Sequence, residues 1–389
     1  KAEYLEAAAR RYDELQLLNK IDNFYDYEKE FVGIWQDLGR EVLEKNLGEL
    51  VKDKRKKNLT TLGHVTINNE HPFNRGKNGF QISPRMQELM VYAGQMDCYE
   101  KNNEVIKEFT NIEVSTTQCY RVTDFYGDRM GDTVNKERTL TPVKKEEVLY
   151  VEADGSMLLT REQSWSEVKL GRFFKSGDCI HADSKAGWIS TSQYVAHLGN
   201  SRDFTKTMDN LIESHGKLGK RLVFISDGAV WIRNWIEDAF PDAVSILDYY
   251  HACEHLHLFS SNYFADKQQE KIWVTVQKEL LLQSEVQAVI KNIKQRAGEN
   301  REALKLITYF ESNKNRMDYK QYQQMGCGII GSGAIESAHR KVIQKRMKQS
   351  GQRWSLKGAQ NMLNLRVVRK NLQWNKIIEL SKYGCRVAA

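Results

Sequence analysis

No two of the six cysteines, Cys98, Cys119, Cys179, Cys253, Cys327 and Cys385, stand at CxxC spacing. That scatter argues against a disulfide scaffold or a zinc ribbon. Long apolar runs are missing too: none approaches the roughly 20 residues that a membrane span needs. The charged start KAEYLEAAARRYDEL lacks the apolar stretch of a secretory leader. The expectation is a soluble, cytoplasmic protein with no membrane partner. Charge of one sign is not in large excess either, since 58 Lys and Arg against 51 Asp and Glu leave a net +7. That balance is compatible with a polyanionic partner without demonstrating one.

What is present is enough apolar material to build cores. A chain of 389 residues, 41% hydrophobic and 10% aromatic, has room for two or three domains and is not a disordered protein. Its positive charge is clustered in VKDKRKKN (51–58) and in HRKVIQKRMKQSGQRW (339–354). The first cluster reads equally as a solvated linker or a binding segment.

Apolar residues at helical spacing predict an N-terminal helical region over 1–58, with 52–57 as a linker. TLGHVTI and GFQIS then read as two strands around the polar loop NNEHPFNRGKN, a short β-hairpin over 59–82. Over 83–146 three helices have clear starts: Ser83-Pro84, then Asp97 with Glu100 and Ser115 with Gln118 as capping boxes. They form a helix-turn-helix-like DNA-binding region or a purely structural bundle. In the first reading the third helix offers Thr117, Gln118 and Arg121 to DNA.

Strand patterns dominate from 147 to 263. EVLYVEAD, SMLLTRE and SEVKLGRFF predict a three-stranded antiparallel meander that GWISTSQYVAHLG extends or covers. Helices then alternate with KRLVFISD and AVSILD. This order predicts a ribonuclease-H-like α/β core. Residues 264–328 read as an all-α insertion, and 329–389 as C-terminal helices completing the core.

Three of the strand-like runs end on an acid: Asp154, Asp227 and Asp248. Cutting a phosphodiester on such a core needs carboxylates that hold two Mg²⁺ ions, which take hard oxygen ligands. Asp154, Asp227 and Glu336 stand where three such acids would converge, 73 and 109 residues apart. Each has a plainer reading: Asp-Gly is a common turn, and Glu336 would suit a helix N-terminus. Asp248 reads as a ligand, a supporting partner or a helix cap. His251 and His255 of HACEHLH share a helix face, and polar contacts beside the site suit His251 better than zinc.

The segments VEADG, SDGAVWI, LDYYHACEHL and GSGAIESAHRKVIQKRMKQSGQRWSLKGAQNMLNLR resemble bacterial DDE transposases of the Kra-type and Lre-type insertion-sequence families, which have Mutator-like relatives. The resemblance runs over roughly 60–374 and is most specific in the last segment. It implies a ribonuclease-H-like catalytic domain with an all-α insertion, and Asp154, Asp227 and Glu336 as the metal-binding, catalytic triad. Asp248 and His251 then match a D-x-x-H element that supports it. Mg²⁺ is the implied cofactor, as two ions for which Mn²⁺ substitutes. The implied partners are element ends, target DNA and further copies of the chain, as a homodimer or larger assembly. One departure is that NNEHPFNRGKNGF holds no cysteine, where Kra-type members often carry a cysteine-rich stretch, so no structural zinc is expected there.

The expected reaction is phosphoryl transfer: release of a 3′-hydroxyl at the element end, then its attack on target DNA. At about 100° per residue, Lys341, Lys345 and Lys348 fall across a helix from Glu336, while Arg340, Ile343 and Met347 lie nearer to it. Arg340, Lys341, Lys345, Arg346, Lys348 and Arg353 are the basic candidates for DNA phosphates, and Trp354 either stacks on a base or packs in a core. A nuclease or resolvase of the same fold, or a domesticated DNA-binding protein without catalysis, remains as an alternative.

Overall fold

A computed structural model describes residues 2–21, 23–47, 55–68, 77–131, 133–181, 187–297 and 300–384. The chain forms two compact units, one of Lys1–Met130 with Gln373–Ala389 and one of Gly131–Leu372.

The first unit begins with α1 (Ala2–Leu17) and α2 (Phe24–Leu47). Strands β1 (Arg55–Thr60) and β2 (Gly63–Asn68) then pair antiparallel around a tight turn. The hairpin therefore starts inside the basic stretch expected as a linker. GFQIS contributes only an isolated bridge between Leu59 and Ile82. Residues 51–54 and most of the polar loop, 69–76, lie outside the described residues.

Three helices follow as expected: α3 (Pro84–Gly94), α4 (Tyr99–Thr110) and α5 (Thr116–Gly131). Ser83 caps α3 by accepting from the Met86 amide. Ser115 and Gln118 cap α5 reciprocally, each side chain accepting from the other's backbone amide, at 3.2 and 3.4 Å. Asp97 does not form the expected capping box. The N-cap of α4 is Cys98, and the Asp97 side chain accepts from the Cys98 amide instead.

The second unit is built on a five-stranded mixed sheet. Its strands are β3 (Leu149–Thr160), β4 (Ser164–Lys175), β7 (Gln193–Leu198), β8 (Leu222–Ser226) and β9 (Val244–Leu247), in the order β7-β4-β3-β8-β9. A separate small hairpin, β5 (Cys179–His181) and β6 (Gly187–Ile189), intervenes. β3 pairs antiparallel with β4, and β4 with β7, whereas β8 and β9 run parallel to β3.

One expectation fails here for a physical reason. EVLYVEAD and SMLLTRE are one strand, because the chain runs straight through Asp154-Gly155 in unbroken register with β4. Gly155 makes no turn: a Cβ there would lie 2.1 Å from the Glu167 carboxylate, so glycine is set by the neighbouring strand. The third strand of the antiparallel set is β7.

Alternate residues of β3 face opposite layers. Leu149, Val151 and Ala153 pack with Phe204, Met208 and Leu211 of α6 (Ser201–Glu213) and with Ile232, Trp235 and Ile236 of α7 (Val230–Ala239). Tyr150 joins Val223, Ile225 and Ile246 in the other layer, under α8 (Tyr249–Tyr263), α9 (Lys267–Leu282), α10 (Val286–Ala297) and α11 (Arg301–Asn313). Glu152 and Asp154 share that second face by the same alternation.

Helix α12 (Tyr319–Tyr322) ends the helical stretch, and a glycine-rich turn leads into α13 (Gly333–Ala338). The helix continues as a π-helical segment, His339–Gln344, and a last turn, α14 (Lys345–Met347). α15 (Leu356–Lys370) packs along β7 through Gln360, which donates to the Ala196 carbonyl and accepts from the Leu198 amide. α16 (Trp374–Tyr383) belongs to the first unit, where Trp374 Nε1 donates to Glu88. Among the described residues no helix is long and apolar enough to cross a membrane.

Candidate active site

The parallel register of β3 and β8 sets Glu152 opposite Ile225. Two residues further along each strand direction come Asp154 and Asp227, so both acids lie at the same level of adjacent strands. Asp154 is a strand residue, with its side chain 37% exposed. Asp227 follows the last residue of β8, where its Oδ1 accepts from the Ala229 amide at 3.0 Å. The chain then turns through Gly228 at φ +94°, a left-handed backbone that favours glycine. Tyr309 of α11 donates to the Asp227 carbonyl at 3.2 Å and closes this corner.

Asp248 follows the last residue of β9 and is 2% exposed. Its Oδ1 accepts from the Tyr250 amide at 2.8 Å, capping α8, and its Oδ2 accepts from the Ser332 hydroxyl at 2.5 Å. Asp248 thus caps one helix and tethers the glycine-rich turn. His251 lies in α8, with Nδ1 3.4 Å from Glu254 and its ring 4.7 Å from that of His255 and 6.5 Å from that of Tyr309.

Glu336 is exposed near the start of α13. What fixes that start is a pair that the sequence pattern did not single out, Glu152 and Arg172, directly opposite each other on β3 and β4. Glu152 Oε2 accepts from the Ile335 amide at 2.5 Å, and Arg172 Nη1 donates to the Ala334 carbonyl at 2.7 Å. The two side chains grip opposite sides of one peptide group, Ala334–Ile335, one residue before Glu336. Glu152 is fully buried, and its second oxygen, Oε1, has no hydrogen-bond partner. Burial pushes its carboxyl up to about 8, with Asp248 and Glu336 adding to the rise, while the Ile335 amide and Arg172 oppose it. The signal for Glu152 was present: it is two residues before Asp154, hence on the same face of the strand.

The helix after Glu336 departs from the uniform α spacing assumed for it. Over the π-helical His339–Gln344 the 100° step does not hold, and π-turns frequently mark functional sites. Lys348, expected across the helix from the acids, reaches β3: its Nζ donates to Ser156 Oγ at 2.6 Å. Burial lowers the Lys348 ammonium, and Asp154 nearby works against that. His339 is buried, with Nε2 3.0 Å from Asp154 Oδ2, although neither ring nitrogen makes a hydrogen bond.

The other basic candidates divide by exposure. Arg340, Lys341, Lys345 and Arg353 are exposed, as are Thr117, Gln118 and Arg121 on α5. Arg346 is a correction: it is 1% exposed, with its guanidinium 5.0 Å from the Trp354 ring, and is closed to a DNA backbone. Trp354 is half-buried, donates Nε1 to the Met347 carbonyl at 3.0 Å and bridges to Thr160 at the end of β3. These contacts pack it against the end of β3.

The acids on this face are hard oxygen donors of the kind Mg²⁺ takes, and Glu152 Oε1 is an orphaned carboxylate oxygen among them. Among the described residues, no three His, Cys, Asp or Glu side chains are grouped closely enough to hold a metal ion as they stand. The donor chemistry fits the ion, with the Asp154 side chain 37% exposed and Glu336 exposed.

These features define a mixed α/β protein with an acid-bearing sheet face closed by a late helix. The chain belongs to the uncharacterised protein family UPF0236, whose pattern matches residues 48–382. No curated protein matches it.

Proposed function

We propose that the chain is a DDE transposase that cuts DNA at the ends of its insertion sequence and transfers the 3′ ends to target DNA. The observation that carries this reading is the sheet: three antiparallel strands followed by two parallel ones, ordered β7-β4-β3-β8-β9, as in a ribonuclease-H-like core. In that order Asp154 lies on β3 and Asp227 just past the end of the adjacent β8, and the helix bearing Glu336 is anchored through Glu152 of β3. Asp154, Asp227 and Glu336 would hold Mg²⁺, which when bound activates water and neutralises charge on a phosphate. Glu152 and Arg172 hold the backbone beside Glu336. His339 stands beside Asp154, and Lys348 supplies a cation near it for the phosphate. Arg340, Lys341, Lys345 and Arg353 track the DNA backbone, and Thr117, Gln118 and Arg121 read the element ends.

The test is cleavage and strand transfer, assayed separately, with purified protein, Mg²⁺ and DNA carrying the flanking ends. Glu336→Gln keeps the size and removes the charge, so it abolishes both steps and leaves DNA binding intact. Cleavage without strand transfer would mark a nuclease or resolvase instead. A Glu336→Gln protein that cuts at the wild-type rate would overturn the assignment.

A further inference from the structure

The turn that leads to Glu336 carries a second chemical feature. Cys327 lies in it, nine residues before Glu336, and Cys179 opens β5, 148 residues earlier in the chain. Their Sγ atoms are 2.9 Å apart, roughly 0.9 Å longer than the S–S bond of about 2.05 Å. Both thiols are free and half-buried, so they are neither sealed in a core nor fully open. The turn around Cys327 is held to β3 by Tyr150, whose hydroxyl accepts from the Cys327 amide at 3.2 Å and donates to the Met325 carbonyl at 2.8 Å.

The two thiols are not equivalent. The hydrogen bond shared with Cys179 holds the Cys327 thiol below its usual range, against the effect of burial. Cys179 is shifted the opposite way by the same hydrogen bond and by burial. A nucleophilic thiolate with a resolving thiol in contact is the arrangement of an oxidisable pair.

We propose that Cys179 and Cys327 form a reversible dithiol–disulfide site whose oxidation by a hydroperoxide locks the turn preceding Glu336. The Cys327 thiolate attacks the peroxide oxygen, giving the sulfenic acid and releasing hydroxide, which takes up a proton as water. The Cys179 sulfur then attacks the Cys327 sulfur, the S–S bond forms and a second water leaves. In sum, two thiols and one hydrogen peroxide give one disulfide and two waters. A dithiol reductant returns both thiols by exchange.

Locking follows from how little slack the turn has. Gly326 has φ +53°, and a Cβ there would lie 2.7 Å from the Tyr150 hydroxyl. Downstream, the Ile330 carbonyl accepts from the Tyr249 amide at 3.0 Å, and Ser332 is tethered to Asp248. Drawing Cys327 toward Cys179 therefore moves or stiffens a segment pinned on both sides. The effect on cleavage rests on the function proposed above. A displacement of about 1 Å at a reacting group lowers rates by as much as about 100-fold.

The experiment treats the full chain with hydrogen peroxide, alkylates the remaining thiols and maps peptides without reduction. The expected result is a Cys179–Cys327 crosslink, reversed by dithiothreitol and absent in Cys179→Ser, with slower amide exchange over 326–338 in the oxidised protein. DNA cleavage by the wild type falls by about 10-fold or more on oxidation, while Cys179→Ser keeps its cleavage under peroxide. Both cysteines still alkylating after treatment, or ending as separate sulfinic acids, would overturn the proposal. A crosslink with unchanged exchange over 326–338 would overturn the lock. If neither redox state cuts DNA, the proposed function fails while the crosslink and exchange results still decide this one.

Discussion

Replacing Arg172 with methionine keeps the length of the side chain and removes its guanidinium. Two acceptors then lose a charged donor: the Ala334 carbonyl at 2.7 Å, and the Ser192 hydroxyl, which receives Nε at 3.0 Å and Nη2 at 2.9 Å. Leaving a buried acceptor unsatisfied costs about 1–3 kcal/mol. Loss of stacking on the Tyr194 ring, 5.3 Å away, adds about 0.5–1 kcal/mol. Relief from burying a guanidinium offsets part of this, leaving a net destabilisation of about 3 kcal/mol. At about 2–4 °C per kcal/mol for a body of this size, Tm drops by roughly 6–12 °C. Arg172→Lys retains the charge but cannot serve both acceptors, so it falls between. Cleavage measured well below either melting point separates anchoring from stability. With the peptide before Glu336 released, the rate drops by about 10–100-fold while DNA affinity holds. An Arg172→Met protein that melts with the wild type and cuts at its rate would refute the idea that this cross-strand pair positions the helix.

Three further outcomes are expected. Burial, with Arg138 and Lys175 close by, pulls His215 down to about 4 from 6.5, so the folded state binds fewer protons across that window. The stability it contributes above about pH 6.5 is lost as pH falls toward 4, and solvent screening at this half-buried ring reduces the effect to about 1–2 kcal/mol. His215→Gln should flatten the pH dependence of stability in urea denaturation over this range, and an unchanged slope would refute the assignment. Gly171→Ala sets a Cβ 2.5 Å from the end of Met208 and 3.2 Å from Phe204, which overpacks the layer under α6 and destabilises by about 1–3 kcal/mol in thermal melts. A neutral result would mean that Met208 simply moves aside. Removing Lys341, Lys345 and Lys348 together should lower the salt dependence of DNA binding by a slope of about 0.9 for every phosphate no longer neutralised. No change would return that surface to ordinary solvated charge.

How much was legible in the sequence depended on whether local chemistry or a distant partner set the conformation. Ser83 and Ser115 were readable as caps because a cap is a local hydrogen bond. Asp97 missed by one residue because it binds the Cys98 amide instead of closing the box. The two Asp-Gly pairs look alike in sequence and behave differently. Gly228 turns the chain at φ +94°, whereas Gly155 sits inside a strand because Glu167 occupies the space beside it. Only the pairing of β3 with β4 decides between them. The same limit hid Glu152, whose partners Arg172 and Ile335 lie 20 and 183 residues away. It also hid the π-turn that carries Lys348 to β3, and the burial of Arg346 within a basic run.

The grip of Glu152 and Arg172 on Ala334–Ile335 also sets an order of events in folding. Strand β9 ends at Leu247, so the sheet's acids have all been synthesised well before Glu336, which comes 89 residues after that strand's end. At about 5–20 residues per second, the growing chain spends roughly 4–18 s with its sheet strands complete and α13 still unmade. During that interval Glu152 has no Ile335 amide to bind. Docking of the glycine-rich turn is therefore the step that closes this contact and carries Glu336 with it. Because that contact spans 183 residues, its closure is a late and slow event. A ribosome-bound chain then lacks the Glu336 helix, and under the function proposed above its cleavage chemistry is withheld until the chain has been released far enough to close.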